Sequence, residues 1–224
     1  MVKLPMTLDR ISKVKIVVLV DLSRPGNAIQ FLTQWINVLR NVIEKLMSEK
    51  ESQSSKDRKI IKALKADRES VFSLKHPDCQ DINPFPVPLL IVASKYDTFC
   101  NEDSIKRKVL AQALRYIAHM NGASLQAFSN KDKGIATTYR ATMTSHLFGT
   151  DKKTIHEVDS AKSLVIQAGS DTFEDIGIPR GARRGDFETG TLDSKIEQWV
   201  RAVGEFFPSE KNGKVFSPSV FNFV

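Results

Sequence analysis

Apolar residues in this chain gather into runs of two kinds. Residues 14–22, VKIVVLVDL, and the later PVPLLIVASKYDTF at 86–99 are nearly continuous and rich in β-branched side chains. Such runs predict strands buried on both faces of a parallel sheet. The second kind is periodic. In NAIQFLTQWINVLRNVIEKLMSEK, residues Leu32, Trp35, Ile36, Leu39, Val42, Ile43, Leu46 and Met47 recur at three-and-four spacing, which predicts a long amphipathic helix. The chain then turns polar (SEKESQSSKDR), with a short helix expected around 57–69 inside a charged surface insertion of about 48–75. Turn-forming HPDCQDINPFPVP leads into the second strand, and Pro86 and Pro88 stand where a missing donor does least harm.

The same alternation continues. Ile105, Val109, Ala113, Leu114, Ile117 and Met120 line one face of a helix that Asn101 or Ser104 can cap, and Gly122 sits where a left-handed terminus is wanted. ASLQAFS predicts a third strand, and Ile135, Tyr139, Met143 and Leu147 a helix over about 134–148. LVIQAG at 164–169 reads as extended, whereas the glycine- and arginine-rich IPRGARRGDFETG predicts an unstructured loop. Ile196, Trp199, Val200, Val203 and Phe207 place a last amphipathic helix at about 192–207. Three strand-helix units in series predict a parallel α/β sheet with right-handed crossovers. The division expected is an α/β domain over 1–150 and a C-terminal extension over 151–224.

Composition narrows the function. Of 224 residues, 41% are hydrophobic and 26% charged, which is ordinary for a globular protein. The net charge of +7 would suit nucleic acid, but the basic residues are thinly spread, mixed with acids in KDRKIIKALKADR, and lack interleaved aromatics. A nucleic-acid partner is therefore not expected. The apolar run at 16–20 is too short to span a bilayer and no signal-peptide pattern precedes it, so no membrane role is expected either. Cys79 and Cys100 lie in different segments, which argues against a disulfide framework and for a reducing compartment.

Candidate chemistry lies where strands end, since open parallel sheets bind ligands outside their carboxyl ends. Asp21, Ser94 to Asp97 and Ser129 to Lys131 all fall there. A lysine followed two residues on by an acid can read guanine: the carboxylate accepts from the ring and exocyclic donors while the lysine stem lies along the base. Ser94-Lys95-Tyr96-Asp97 resembles the Asn/Thr-Lys-x-Asp element of Ras-like GTPases, and Ser129-Asn130-Lys131 stands in the place of their Ser-Ala-Lys. That resemblance implies Ser94, Lys95, Asp97 and Ser129 as a guanine site. The phosphate half is missing from the sequence. No stretch reads Gly-x4-Gly-Lys-Ser/Thr; the nearest, Asn212-Gly213-Lys214-Val215, has Pro208 in place of the first glycine. None of the eleven glycines has an aspartate three places before it. The guanine residues are accordingly expected to be vestigial or structural, with no hydrolysis and no bound cofactor. Asp21 is expected to act as a turn residue. His76 and Cys79 alone do not make a metal site, and Cys100, His119 and His146 give no triad.

Several strings taken together, VVLVDLSRP, HPDCQDINPFPVPLLIVASKYDTF, SIKRKVLAQALRYIAHMNGASL, SHLFG and LVIQAGSDTFEDIG, resemble the dynein light intermediate chains, and among them those of the ciliary motor cytoplasmic dynein-2. The resemblance runs from about residue 5 to 207. It implies an incomplete Ras-like fold whose P-loop portion and central strand lie ahead of this sequence, leaving the strand at 15–22 with an unpaired edge. It also implies a non-catalytic subunit that scaffolds the dynein-2 heavy chain alongside other dynein-2 subunits. The setting it implies is retrograde intraflagellar transport and cilium assembly, in the cytoplasm, cilium, basal body and cytoskeleton. The stripe of Ile196, Trp199, Val200, Val203 and Phe207 is the candidate contact with that partner if exposed; otherwise it packs on its own sheet. The alternative function is a guanine-nucleotide-binding switch, with GTP or GDP held only in a form that carries the P-loop.

Overall fold

The computed structural model describes residues 8–72, 75–150 and 155–208. After a short helix α1 (Leu8–Ile11), strand β1 (Ile16–Asp21) runs into a 3-10 turn at Pro25–Asn27 and the long helix α2 (Ala28–Glu51). Helix α3 (Ser55–Glu69) folds back along α2, and its Ile61 is fully buried. Strand β2 (Leu89–Ser94) is followed by one turn, α4 (Tyr96–Phe99), and by α5 (Ser104–Met120). Then come β3 (Ser124–Ala127), α6 (Lys133–Phe148), β4 (Val165–Ile166), α7 (Phe173–Ile176), α8 (Arg184–Thr189) and α9 (Leu192–Gly204).

The sheet order is β1-β2-β3-β4. β1 and β2 pair in parallel from Ile16 opposite Leu89 to Asp21 opposite Ser94, and β3 joins β2 in parallel. The sheet is not wholly parallel, because β4 runs antiparallel to β3. β2 is buried on both faces, as its unbroken apolar run predicts. β1 departs from that expectation: among the described residues it lies at the edge of the sheet, its burial alternates, and Leu19 is 57% exposed. Its continuous valines reflect a strand covered on one side by α2 and left open on the other.

One apolar core joins β1, β2 and β3 to α2, α5 and the C-terminal segment, from Val18, Val20 and Leu32 through Leu114 to Phe187 and Trp199. Two arginines seat the proline-rich lead-in to β2. Arg40 donates to Asn83 O (2.8 Å), Pro84 O (3.2 Å) and Asn121 Oδ1 (2.9 Å), and Arg68 to Phe85 O (3.3 Å) and Gly122 O (3.0 Å). These bonds satisfy carbonyls that prolines leave without regular partners. Gly122, at φ +56, makes the left-handed exit from α5. The cap at the other end of α5 is Asp103, whose carboxylate accepts from Ile105 N–H, rather than Asn101 or Ser104.

One further expectation is corrected, and of the two readings of the α9 stripe the structure shows packing within the chain. The segment 178–190 is not a bare loop: it turns at Gly181 (φ +80) and forms α8, anchored by buried Phe187, which packs edge-on against Trp199. Glycine and arginine content concealed that single anchor. The apolar stripe of α9 does not face outward. Trp199 and Val203 are fully buried and Phe207 nearly so, while Ile196 and Val200 are half-buried against the same core. α9 lies on α5 and α2, with Trp199 5.6 Å from the Tyr116 ring, so Ile196, Trp199, Val200, Val203 and Phe207 are spent inside the chain. Among the described residues no helix is long and apolar enough to cross a membrane. The Asn212-Gly213-Lys214-Val215 stretch lies outside the described residues.

Candidate functional site

The carboxyl ends of β1, β2 and β3 meet at one rim of the sheet, and the four residues singled out there do come together. Register brings this about: Asp21 lies beside Ser94 across the β1–β2 pair, and Phe128 N–H bonds Ala93 O (2.8 Å), which holds the β3 exit against the end of β2. Ser94, Lys95, Asp97, Asn130 and Lys131 line an open cavity of about 360 Å³ with Phe128 as its apolar wall.

Ser94, Lys95, Asp97 and Lys131 already have partners from the chain. Ser94 Oγ donates to Val20 O (2.9 Å), tying β2 to β1. Lys95 Nζ lies 2.7 Å from Asp21 Oδ2 and 3.4 Å from Ser23 Oγ. Ser23 also donates through its N–H and hydroxyl to Asp21 Oδ1, at 2.9 and 2.6 Å. Asp21 therefore does serve as a turn residue, and it carries an ion pair as well. Partial burial works against its charge, yet the Lys95 and Ser23 bonds outweigh that and hold its carboxyl below the ordinary range. Asp97 accepts from Ser129 Oγ (2.8 Å) and lies 2.7 Å from Lys131 Nζ. The Lys131 bond, with Ser129 second, lowers the Asp97 pKa, and Asp97 in turn raises that of Lys131.

Lys131 is the residue that sequence reasoning undervalued. It was legible only as the third member of Ser-Asn-Lys, and the structure makes it the counter-ion of the acid that would read a base. A guanine at this rim would have to displace the Lys131 ammonium and the Ser129 hydroxyl from the Asp97 carboxylate. The backbone adds one constraint. Lys95 has φ +58, the only positive value at a non-glycine among the described residues, and this left-handed step turns the chain from β2 into α4.

A second polar cluster lies at the other end of α5 and was not foreseen. His76 is joined not by Cys79 but by Asp78 and His119, whose ligand atoms lie within 4.8 Å of one another. Both ring nitrogens of His76 are engaged: Nε2 lies 3.0 Å from Asp171 O, and Nδ1 accepts from Asp78 N–H (3.2 Å). Asp78 Oδ2 bonds His119 Nε2 and accepts from Phe173 N–H, both at 2.8 Å. Beside them, Arg115 makes a two-pronged ion pair with Asp171, at 2.8 and 2.7 Å, and both side chains are buried. Burial holds His119 below its usual pKa, although Asp78 opposes that shift. With both His76 nitrogens taken, these groups act as a latch that fastens the 76–78 turn and the 171–173 segment to α5.

Comparison with known proteins adds the lineage. The family model described as dynein light intermediate chain (DLIC) matches residues 1–80. Cytoplasmic dynein 2 light intermediate chain 1 of Danio rerio is 36% identical over 216 residues, covering 94% of this chain and 57% of that protein. The Homo sapiens protein of the same name is 31% identical over 211 residues, with 93% and 58% covered. The chain thus spans a little under three-fifths of the length of these curated relatives. Among solved structures, the conserved domain of a dynein light intermediate chain superposes with a TM-score of 0.61 at 18% identity, over 89% of this chain and 74% of that one. The fold is therefore that of the conserved light-intermediate-chain domain. With a family match over residues 1–80 and identities of at least 31% along more than nine-tenths of its own length, the chain is similar throughout to the dynein light intermediate chains.

Proposed function

We propose that this chain is a non-catalytic subunit of the cytoplasmic dynein-2 motor, holding the heavy chain for retrograde intraflagellar transport and cilium assembly. It would work in the cytoplasm, the cilium and its basal body, on the microtubule cytoskeleton, beside the other dynein-2 subunits. The observation that carries the reading is the likeness to dynein-2 light intermediate chains along nearly the whole of this sequence. The rim of the sheet agrees with it: Asp97 and Lys95 are closed by Lys131, Ser129 and Asp21, the arrangement of a structural joint.

The runner-up is a guanine-nucleotide switch whose phosphate site lies in a segment ahead of this sequence. What favours keeping it is the open cavity on which Ser94, Lys95, Asp97 and Lys131 converge. One experiment separates the two: co-purification of this chain, and of a form extended through the P-loop region, with the tail of the dynein-2 heavy chain, followed by nucleotide extraction and chromatography of both forms. The scaffold reading expects the heavy-chain tail to be retained, no guanine nucleotide to be released, and Asp97→Asn to leave retention unchanged. Failure to retain the tail sinks it. Guanine nucleotide that is released by the parent and lost in Asp97→Asn favours the switch.

A further inference from the structure

The latch at the far end of α5 has the composition of a metal site. His76, Asp78 and His119 each present a ligand atom, and these atoms lie within 4.8 Å of one another. Two imidazoles and a carboxylate suit zinc and its first-row neighbours, whereas magnesium and calcium take oxygen ligands. The turn ahead of the proline-rich lead-in supplies two of the three residues, and α5 brings His119 across to them.

The hydrogen bonds decide which nitrogens are available. A backbone carbonyl can only accept, so the contact of His76 Nε2 with Asp171 O (3.0 Å) places the ring proton on Nε2. Nδ1 keeps its lone pair, and its partner, Asp78 N–H, stands at 3.2 Å, the longest bond of the cluster and the one an ion would replace. A metal-bound histidine has this arrangement: its second ring nitrogen donates to a carbonyl, which fixes the tautomer. Asp78 is held in a similar way, its Oδ2 accepting from Phe173 N–H at 2.8 Å. His119 Nε2 meets the same oxygen at 2.8 Å, while His119 Nδ1 is buried and finds no hydrogen-bond partner among the described residues. When Nε2 turns to a cation its proton can pass to Nδ1, where no bond has to be broken.

We infer that His76 Nδ1, Asp78 Oδ2 and His119 Nε2 bind one zinc ion, with water in the fourth position. Tetrahedral bonds of about 2.0–2.1 Å set ligand atoms about 3.3 Å apart. The Asp78–His119 contact must then open by about 0.5 Å, and no separation in the triad has to close by more than about 1.5 Å. His76 and Asp78 are partly exposed, which gives the ion an entry path. Behind them the rings of Phe72 and Phe173 stand edge-on to His119, at 5.7 and 4.8 Å between centroids, an apolar wall that limits solvent access. The ion would clamp the 76–78 turn to α5 more firmly than the hydrogen bonds alone.

The test is zinc binding by the full chain, stripped with a chelator and desalted before zinc is added. One equivalent per chain is expected by elemental analysis, undisturbed by about a hundredfold excess of magnesium or calcium. Asp78→Asn and His119→Gln keep polar groups of similar size. Each removes a ligand, so each should weaken zinc by at least the roughly tenfold that loss of an outer-shell partner costs. Cys79→Ser and Cys100→Ser should leave it unchanged. Should either ligand variant fail to fold, ring-nitrogen NMR of the parent decides: of the four histidines, only His76 and His119 should shift with zinc, while His146 and His156 stay put. Failure of the parent to retain zinc overturns the inference. So does zinc that is lost with a cysteine, held equally by the two ligand variants, or read at His156.

Discussion

Removing one half of the Arg115–Asp171 pair should unfold this protein more readily than almost any other single polar change. Asp171 is 3% exposed and accepts both prongs of the Arg115 guanidinium, at 2.8 and 2.7 Å, while Arg115 is itself buried on α5. Asp171→Ala leaves that guanidinium buried without its counter-charge. Breaking a buried pair in this way costs about 3–5 kcal/mol, because the remaining charge stays desolvated and unpaired. The Thr172 N–H, which Asp171 Oδ1 also accepts at 3.0 Å, adds about 1 kcal/mol at most. For a chain of this size each kcal/mol lowers Tm by about 2–4 °C, so a fall of roughly 10 °C is expected. Urea unfolding followed by tryptophan fluorescence is a suitable assay, since buried Trp199 lies against Tyr116 on the same helix as Arg115. The double variant Arg115→Met with Asp171→Leu removes both charges and should recover most of the loss, because well-packed apolar replacements of buried pairs are commonly neutral or better. A loss below about 1 kcal/mol for Asp171→Ala, or a double variant as weak as the single, would refute the account of the latch.

Two other substitutions probe the same architecture. His119 has its pKa lowered by burial, so the unfolded chain takes up its proton first. Stability present above about pH 6.5 should fall as pH drops toward the folded pKa, and His119→Asn should flatten that slope in unfolding curves taken from pH 7.5 to 5. Gly26→Ala would set a Cβ 2.6 Å from Phe207 O and 2.7 Å from Pro208 O; backbone cannot yield cheaply there, and a loss of about 1–3 kcal/mol in urea unfolding is expected.

The parts of this fold that could be read from the sequence are those where local pattern and final burial agree. β2 is apolar at nearly every position and is buried at nearly every position; α2 and α5 carry their stripes where the core lies. The sheet rim was legible because register, once the strands are placed, forces Asp21, Ser94 and the Ser129 loop together. What escaped depends on contacts between residues far apart in sequence. Nothing local in RGARRGDF distinguishes a loop from a short helix; Phe187 decides it by finding Tyr116 and Trp199. The α9 stripe had the same appearance whether it faced a partner or the core, since periodicity reports amphipathicity and is silent on what covers it. The latch was hidden for the converse reason: Asp78, Arg115, His119 and Asp171 are ordinary polar residues in sequence, and only packing against α5 makes them a unit.

The left-handed turn at Lys95 sharpens the question of what the β2 end is for. A non-glycine residue at φ +58 and ψ +37 costs roughly 1–2 kcal/mol relative to a relaxed backbone. The return from its side chain is small: the Lys95–Asp21 pair is 57% and 43% exposed, and exposed pairs are worth about 0–1 kcal/mol. Lys95→Gly should therefore be neutral or stabilise the fold by up to about 1 kcal/mol, while Lys95→Ala, which keeps the strain and loses the pair, should weaken it slightly. Urea unfolding of the two variants beside the parent decides the matter, with 0.5 M added salt to screen the ion pair in a parallel series. If glycine proves as costly as alanine, the Lys95–Asp21 bridge does more for the sheet rim than its exposure allows, and the rim is a purely structural joint. If glycine is the more stable residue, the lysine occupies a strained position to which its own packing gives no return. The Asp97→Asn pull-down then becomes the measurement of what Lys95 and its neighbours are there to meet.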